Sequence, residues 1–164
     1  MRYTLTMERR DAFYRAHTNK LFSYLMRLTG DYHLSSDIMQ ETFARYFNRY
    51  RGEQNVPLLY RIAKNALLDC IRKRKREALL EEDHPDRSIN QEQAVMVREE
   101  YRRVIRAMEE LRDDEREVLS FVLSGDLSYR EIAELTGTSE ANIKVKVHRA
   151  RVTLKDILGE KRYE

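Results

Sequence analysis

Polar and cationic side chains cover one face of the segment from residue 128 to residue 151. On a helical wheel Ile143, Val147 and Ala150 form a narrow apolar stripe, and the polar side chains lie away from it. The residues pointing away from the stripe are Asn142, Lys144, Val145, Lys146, His148 and Arg149. Lysine and arginine bind phosphates and guanine edges, and a good bidentate base contact contributes about 1 to 3 kcal/mol of discrimination. The pattern predicts a face that binds nucleic acid.

A second polar stripe follows Pro57, whose fixed φ suits the first turn of a helix. Its members recur at spacings of four, four, three and four, and they are Arg61, Asn65, Asp69, Arg72 and Arg76. The segment ends in a run of five cations from Arg72 through Lys73 and Arg74 to Arg76. Five successive cations repel one another and exceed what capping requires, which favours a polyanion as partner. A basic, solvated helix end is the alternative.

A third polar face precedes these two, between residues 35 and 50. Ser35 and Ser36 are predicted to cap this helix. Its apolar half contains Ile38, Phe43 and Tyr46. Its polar, faintly acidic half contains Asp37, Gln40, Glu41, Ala44 and Asn48. Periodicity alone does not distinguish a solvated surface from a protein-docking face here.

Local signals around the first face predict a helix-turn-helix. Ser128 and Glu131 have the spacing of a capping box, Gly137 suits the turn, and Ser139 is placed to cap the second helix. A second helix with one apolar and one basic face is the arrangement that enters a DNA major groove. An ordinary helical hairpin with a charged, solvated face is the alternative.

Composition favours small helical units over one large core. The chain has 164 residues, of which 36% are charged, with a net charge of +3 and a pI of about 9.0. Only 5 glycines and 2 prolines occur, and apolar residues recur at helical spacing, which predicts an all-α fold. The single cysteine, Cys70, excludes an intramolecular disulfide, and the four histidines lack metal-ligand spacing. We therefore expect neither a metal site nor a cofactor.

A change of composition divides the chain into two helical domains. Residues 1–78 form the first, residues 79–96 are predicted to be a flexible acidic linker, and residues 97–164 form the second domain with the helix-turn-helix. No stretch has the length and apolar character of a signal peptide or a membrane span. We expect a cytoplasmic protein that is not inserted into a membrane.

Three blocks of the sequence resemble the extracytoplasmic-function (ECF) group of bacterial RNA polymerase sigma factors, within the sigma-70 family. They are DIMQETF at residues 37–43, LYRIAKN at residues 59–65 with Asp69 and the basic run, and the C-terminal helix-turn-helix. The blocks occur in the family's order and cover nearly the whole chain. The resemblance therefore implies a transcription initiation factor of two domains, rather than helix-turn-helix binding alone.

The resemblance implies a role for each polar face. Binding to core RNA polymerase is implied for Asp37, Gln40, Glu41 and Asn48. Contact with the promoter minus-ten element, held open as single strands, is implied for Arg61, Asn65, Asp69, Arg72, Lys73 and Arg74. Contact with the minus-thirty-five element is implied for Asn142, Lys144, Val145, Lys146, His148 and Arg149. An anti-sigma factor is a further expected partner.

Two other functions are alternatives to an initiation factor. A free-standing helix-turn-helix regulator would bind duplex DNA tightly without polymerase. An enzyme acting on nucleic acid would need catalytic groups, but the sequence shows no convergent carboxylates, no phosphate-cradling glycine loop and no nucleophile with a base. We therefore expect no catalytic residues.

Overall fold

The computed structural model describes residues 2–50, 54–80 and 99–160, and all regular structure within these ranges is α-helical. This confirms the all-α prediction. The helices are α1 (Arg2–Thr29), α2 (Tyr32–Arg49), α3 (Val56–Leu80), α4 (Glu99–Glu109), α5 (Asp113–Ser124), α6 (Tyr129–Thr136) and α7 (Glu140–Glu160). We call α1 to α3 the first module and α4 to α7 the second module.

Side-chain caps fix where α2 and α3 begin. The Asp31 carboxylate accepts a hydrogen bond from the Leu34 amide at 3.0 Å, so α2 starts earlier than Ser35 and Ser36 predicted. That cap prediction is wrong because Ser35 is buried inside the helix, where its hydroxyl lies 2.8 Å from the Thr29 hydroxyl. At α3 the Asn55 side chain accepts from the Leu58 amide at 3.0 Å.

Aromatic packing joins the helices of the first module. Phe13 of α1 stacks on Tyr46 of α2, with ring centroids 4.9 Å apart and planes 10° from parallel. Leu21 and Leu25 of α1 and Leu59 of α3 have no exposed surface. Burial of these apolar side chains is the main source of the module's stability. The apolar halves predicted for α2 and α3 therefore face the core.

The second module contains the predicted helix-turn-helix in α6 and α7. The Ser128 hydroxyl accepts from the Glu131 amide at 3.1 Å, and the Glu131 carboxylate accepts from the Ser128 amide at 2.7 Å. Gly137 follows α6 with a φ of 68°, a left-handed conformation that glycine adopts without strain. The Ser139 hydroxyl then accepts from the Asn142 amide at 3.1 Å. The capping box, the glycine turn and the second cap are all confirmed.

The two modules pack against each other through α1 and α3 of the first module and α4, α5 and α6 of the second. Tyr24 of α1 stacks on Phe121 of α5 with centroids 4.8 Å apart, and Tyr60 of α3 lies edge-on to both rings. These three side chains belong to one continuous apolar cluster. Helix α3 extends to Leu80, so the first two residues of the predicted linker are helical. The rest of that linker, residues 81–96, lies outside the described residues.

None of the helices in the described ranges is long and apolar enough to cross a membrane. Across the same ranges, no three His, Cys, Asp or Glu side chains come together in a way that would hold a metal ion.

Candidate nucleic-acid interface

The polar face of α2 lies on the surface of the first module. Because Ile38, Phe43 and Tyr46 are turned into the core, the opposite side of the helix faces solvent. The exposed residues there are Asp37, Gln40, Glu41, Ala44 and Asn48. Glu41 is ion-paired with Arg45, one turn along the same helix. The predicted acidic face therefore exists as a continuous exposed surface.

The polar stripe of α3 is exposed along its full length. Its predicted DNA contacts, all solvent-accessible, are Arg61, Asn65, Asp69, Arg72, Lys73 and Arg74. Two of these cations have acidic neighbours: Arg72 lies 3.9 Å from Asp69, and Arg74 lies 3.9 Å from Asp31 of α2. Both pairs are long and exposed, so solvent and salt screen them strongly. Their guanidinium groups remain available to a polyanion.

Helix α7 presents most of its predicted contacts to solvent. Ile143, Val147 and Ala150 are buried against the rest of the second module. The exposed members of the predicted set are Asn142, Lys144, Val145, His148 and Arg149. The Asn142 side chain forms a 2.7 Å hydrogen bond with the Thr138 hydroxyl, which holds it at the start of the helix.

Lys146 is the exception on α7, because it does not point freely away from the apolar stripe. Its side chain is only 20% exposed, and its ammonium lies 3.5 Å from the Asp114 carboxylate in the first turn of α5. Partial burial acts to raise the pKa of Asp114, but the charges of Arg112 and Lys146 lower it below its ordinary value. In this position Lys146 links α7 to α5.

Sequence reasoning missed a polar cluster between the modules. The Asp126 carboxylate, in the loop after α5, lies 3.0 Å from Nδ1 of His17 and 2.7 Å from Nζ of Lys20. The Tyr60 hydroxyl donates to the same carboxylate at 3.4 Å. The spacing of the four histidines argued against a metal site but assigned no partner to His17. The contact with residue 126 is long-range, so no local pattern predicts it.

Electrostatics keep the Asp126 carboxylate charged although its side chain is only 9% exposed. Burial alone would raise the pKa of Asp126, but hydrogen bonds from Lys20 and His17 lower it below its ordinary value. Burial raises the pKa of the neighbouring Tyr60 phenol. The tyrosine therefore remains a neutral hydrogen-bond donor beside an ionised acceptor.

Lys64 is a second interfacial residue that sequence reasoning missed. It lies on α3 beside Asn65, yet its ammonium is 2.8 Å from the Glu117 carboxylate of α5 and donates to the Leu135 carbonyl of α6 at 3.1 Å. A lysine next to a polar stripe predicts a solvated cation, and only the packing of the two modules gives it these partners.

Together these features define a two-module, helix-turn-helix protein with two separate basic faces and one acidic face. The sequence profile described as Sigma-70 region 2 matches residues 13–77, and the profile described as Sigma-70, region 4 matches residues 101–154. The first matched range contains α2 and most of α3, and the second contains the helix-turn-helix.

Individual relatives match the chain over most of its length. It is 33% identical to the ECF RNA polymerase sigma factor SigM of Bacillus subtilis over 150 residues, covering 88% of this chain and 92% of SigM. It is 28% identical to the RNA polymerase sigma factor YlaC of the same species, covering 96% and 98% of the two chains. The chain belongs to the ECF group of RNA polymerase sigma factors. It is therefore a promoter-recognising transcription initiation factor, and a free-standing regulator is not favoured.

Solved structures show the same fold. The sigma factor RpoE of Bartonella quintana, in complex with the anti-sigma factor NepR, matches with a TM-score of 0.71 at 21% identity, covering 89% of this chain and 94% of that one. CnrH, in complex with the cytosolic domain of CnrY, matches with a TM-score of 0.69 at 20% identity, covering 94% and 90%.

Proposed function

We propose that each of the three exposed faces has its own binding role in transcription initiation. The α2 face at Asp37, Gln40, Glu41 and Asn48 binds core RNA polymerase. The α3 stripe from Arg61 to Arg74 binds the minus-ten element, and the face of α7 from Asn142 to Arg149 binds the minus-thirty-five element. The observation that carries this assignment is that all three faces are exposed while the opposite side of each helix packs into the core.

Physical chemistry accounts for strand opening without an enzymatic step. Extruding a base costs a few kcal/mol of stacking and pairing, and a protein that holds the extruded base traps the melted state without ATP. On α3, Asn65 and Asp69 offer groups that hydrogen-bond to base edges, and the neighbouring cations hold the backbone. The protein acts as a specificity subunit and performs no covalent chemistry of its own. We place this activity in the cytoplasm, with promoter DNA.

An anti-sigma factor is part of the same proposal. The support is that two structures of the same fold were determined as complexes with an anti-sigma factor or with the cytosolic domain of a second protein. We place the domain boundaries at residues 78 and 97, with residues 79–96 as the tether between them.

Run-off transcription with purified core polymerase tests the proposed function. Fragments of the source genome are transcribed with and without the protein, and we expect new discrete transcripts that need both core polymerase and the protein. A mutated minus-ten element and a mutated minus-thirty-five element, tested separately, should each reduce the transcript. Tight duplex binding by the protein alone, without new transcripts, would instead support the free-standing regulator.

A further inference from the structure

One apolar side chain lies in the middle of the exposed, polar face of α7. Val145 is 44% exposed, although it has no group that forms a hydrogen bond with water or with a phosphate. The apolar residues two positions before and after it, Ile143 and Val147, are 0% and 3% exposed and pack into the second module. Packing within the protein therefore does not account for an apolar side chain at position 145.

Small and polar side chains surround Val145 on this face. In a helix, residues three and four positions apart are neighbours on the surface. By this rule the neighbours of Val145 are Ala141, Asn142, His148 and Arg149, and all four are exposed. Val145 is therefore the apolar centre of a patch that is otherwise small or polar.

Val145 is also held in a fixed position. The start of α7 is capped, because the Ser139 hydroxyl accepts a hydrogen bond from the Asn142 amide at 3.1 Å. Burial of Ile143 and Val147 then fixes the turn that carries Val145 against the rest of the module. A valine in a helix has one strongly preferred χ1 rotamer. Its two methyl groups therefore form a rigid contact surface that loses little conformational entropy on binding.

The chemistry of the DNA surface limits what Val145 can contact favourably. Phosphates and most base edges present charges or hydrogen-bonding atoms, and covering them with a valine removes their water without replacing it. The major groove also presents the C5-methyl group of thymine, and apolar side chains contact this group there. The minor groove presents no methyl group. A thymine contacted from the major groove is therefore the partner that matches Val145.

The position of Val145 along α7 fits such a contact. In a helix-turn-helix, the N-terminal residues of the second helix contact the base edges. Val145 is in the second turn of α7, which begins at Glu140. Within the described part of α7, the other large apolar side chain that is exposed is Val152, at 47%. Val152 lies about 10 Å further along the helix axis, at a rise of 1.5 Å per residue, where it lines a cavity with Leu111 and Glu115.

We propose that Val145 contacts the C5-methyl group of a thymine in the minus-thirty-five element, and that this methyl group contributes to promoter selection. The inference rests on the proposed function, in which α7 binds that element. Lysine and arginine on the same face also bind phosphates, which carry no sequence information directly. Val145 therefore adds a base preference that phosphate contacts do not supply.

Replacement of thymine by deoxyuridine tests the contact, because it removes the methyl group and leaves the hydrogen bonds of the base pair intact. The probes are promoter fragments from the run-off assay in which each thymine of the minus-thirty-five element, on either strand, is replaced singly. Competition of the thymine and deoxyuridine duplexes for holoenzyme gives their affinity ratio. With the wild-type protein we expect a loss of about fourfold at one position, the effect of burying one methylene-sized group.

Val145→Ala is the test variant, since the change lies on an exposed helical surface and alanine has the highest helix propensity. At the sensitive position, holoenzyme with this variant should bind the thymine and deoxyuridine duplexes equally. Val152→Ala is the matched control, because it removes the same atoms from a similarly exposed position on the same helix. It should keep the wild-type affinity ratio.

The outcomes separate the methyl contact from the proposed function. Equal ratios for wild type and Val145→Ala, or the absence of any position at which deoxyuridine weakens binding, would overturn the methyl contact and leave core-dependent transcription standing. Absence of core-dependent transcripts with the wild-type protein would overturn the proposed function itself, and the inference with it.

Discussion

At the scale of single residues, exposure and pairing distinguish side chains that sequence reasoning had grouped together. Lys144 and Lys146 are both cations on the polar side of α7, but Lys144 is exposed whereas Lys146 is paired with Asp114. On α2, Asp37, Gln40 and Glu41 are all exposed, but Glu41 is also paired with Arg45. Truncating an exposed side chain that has no such partner changes the stability of the isolated protein little. If the truncation weakens binding to another molecule, the side chain therefore contacts that molecule.

The residue-scale prediction concerns the exposed face of α2 that we propose binds core RNA polymerase. The double change Asp37→Ala and Gln40→Ala should weaken core polymerase binding at least tenfold, because it removes one charge and one amide from an exposed face. Thermal stability should change little, since surface substitutions away from special contacts usually stay within about 0.5 kcal/mol. Fluorescence titration of labelled protein with core polymerase measures the affinity, and circular dichroism measures the stability.

Asn19→Ala provides the matched control, because Asn19 is exposed on α1 of the same module but lies outside the proposed face. Unchanged affinity in the double variant, with transcription preserved, would place the polymerase-binding face elsewhere on the protein.

At the scale of elements, local rules predicted some helix boundaries and failed at others. The capping box at Ser128 and the turn at Gly137 were predictable because each depends on residues within one or two turns. The start of α2 was mispredicted because Asp31, Ser35 and Ser36 are all residue types that cap helices. The helix begins at Tyr32 with Asp31 as its cap, so both serines lie inside it. Helix periodicity likewise predicted which face of α3 is exposed. It did not predict that Lys64, at the edge of that face, contacts another module.

The ion pair between α7 and α5 gives the element-scale prediction. Lys146→Met should lower the free energy of unfolding by about 0.5 kcal/mol, the usual contribution of a partly exposed pair. It should also weaken binding to the minus-thirty-five element, because α7 loses the ion pair with Asp114 that orients it. Lys144→Ala, in contrast, should leave stability unchanged and reduce the slope of log affinity against log salt by about 0.9, as expected for one lost phosphate contact.

Chemical denaturation and salt titrations of holoenzyme on promoter fragments distinguish the two lysines. If Lys146→Met reduces the salt slope as much as Lys144→Ala and leaves stability intact, then Lys146 contacts DNA directly and its pairing with Asp114 is secondary.

At the scale of the whole molecule, the two modules share one apolar cluster, and the sequence did not indicate whether its two predicted domains pack together. The sequence correctly indicated the helical content of each unit, because that information is local and periodic. Burial of Tyr24, Tyr60 and Phe121 together depends on contacts between residues far apart in the chain, which periodicity does not encode. A shared cluster couples the stability of the two modules, so neither unfolds independently while the cluster is intact.

Cooperative unfolding provides the whole-molecule prediction. The wild-type protein should unfold in one calorimetric transition, with equal calorimetric and van't Hoff enthalpies, because separating the modules exposes the shared cluster. Phe121→Ala removes the ring that stacks on Tyr24, at a cost of about 3 to 5 kcal/mol, and should split unfolding into two transitions. Ile38→Ala is the matched control: Ile38 is buried, and α2 packs mainly on α1 and α3 of its own module, so this change should lower the melting temperature while keeping one transition. If Ile38→Ala and Phe121→Ala behave alike, the aromatic cluster does not couple the modules.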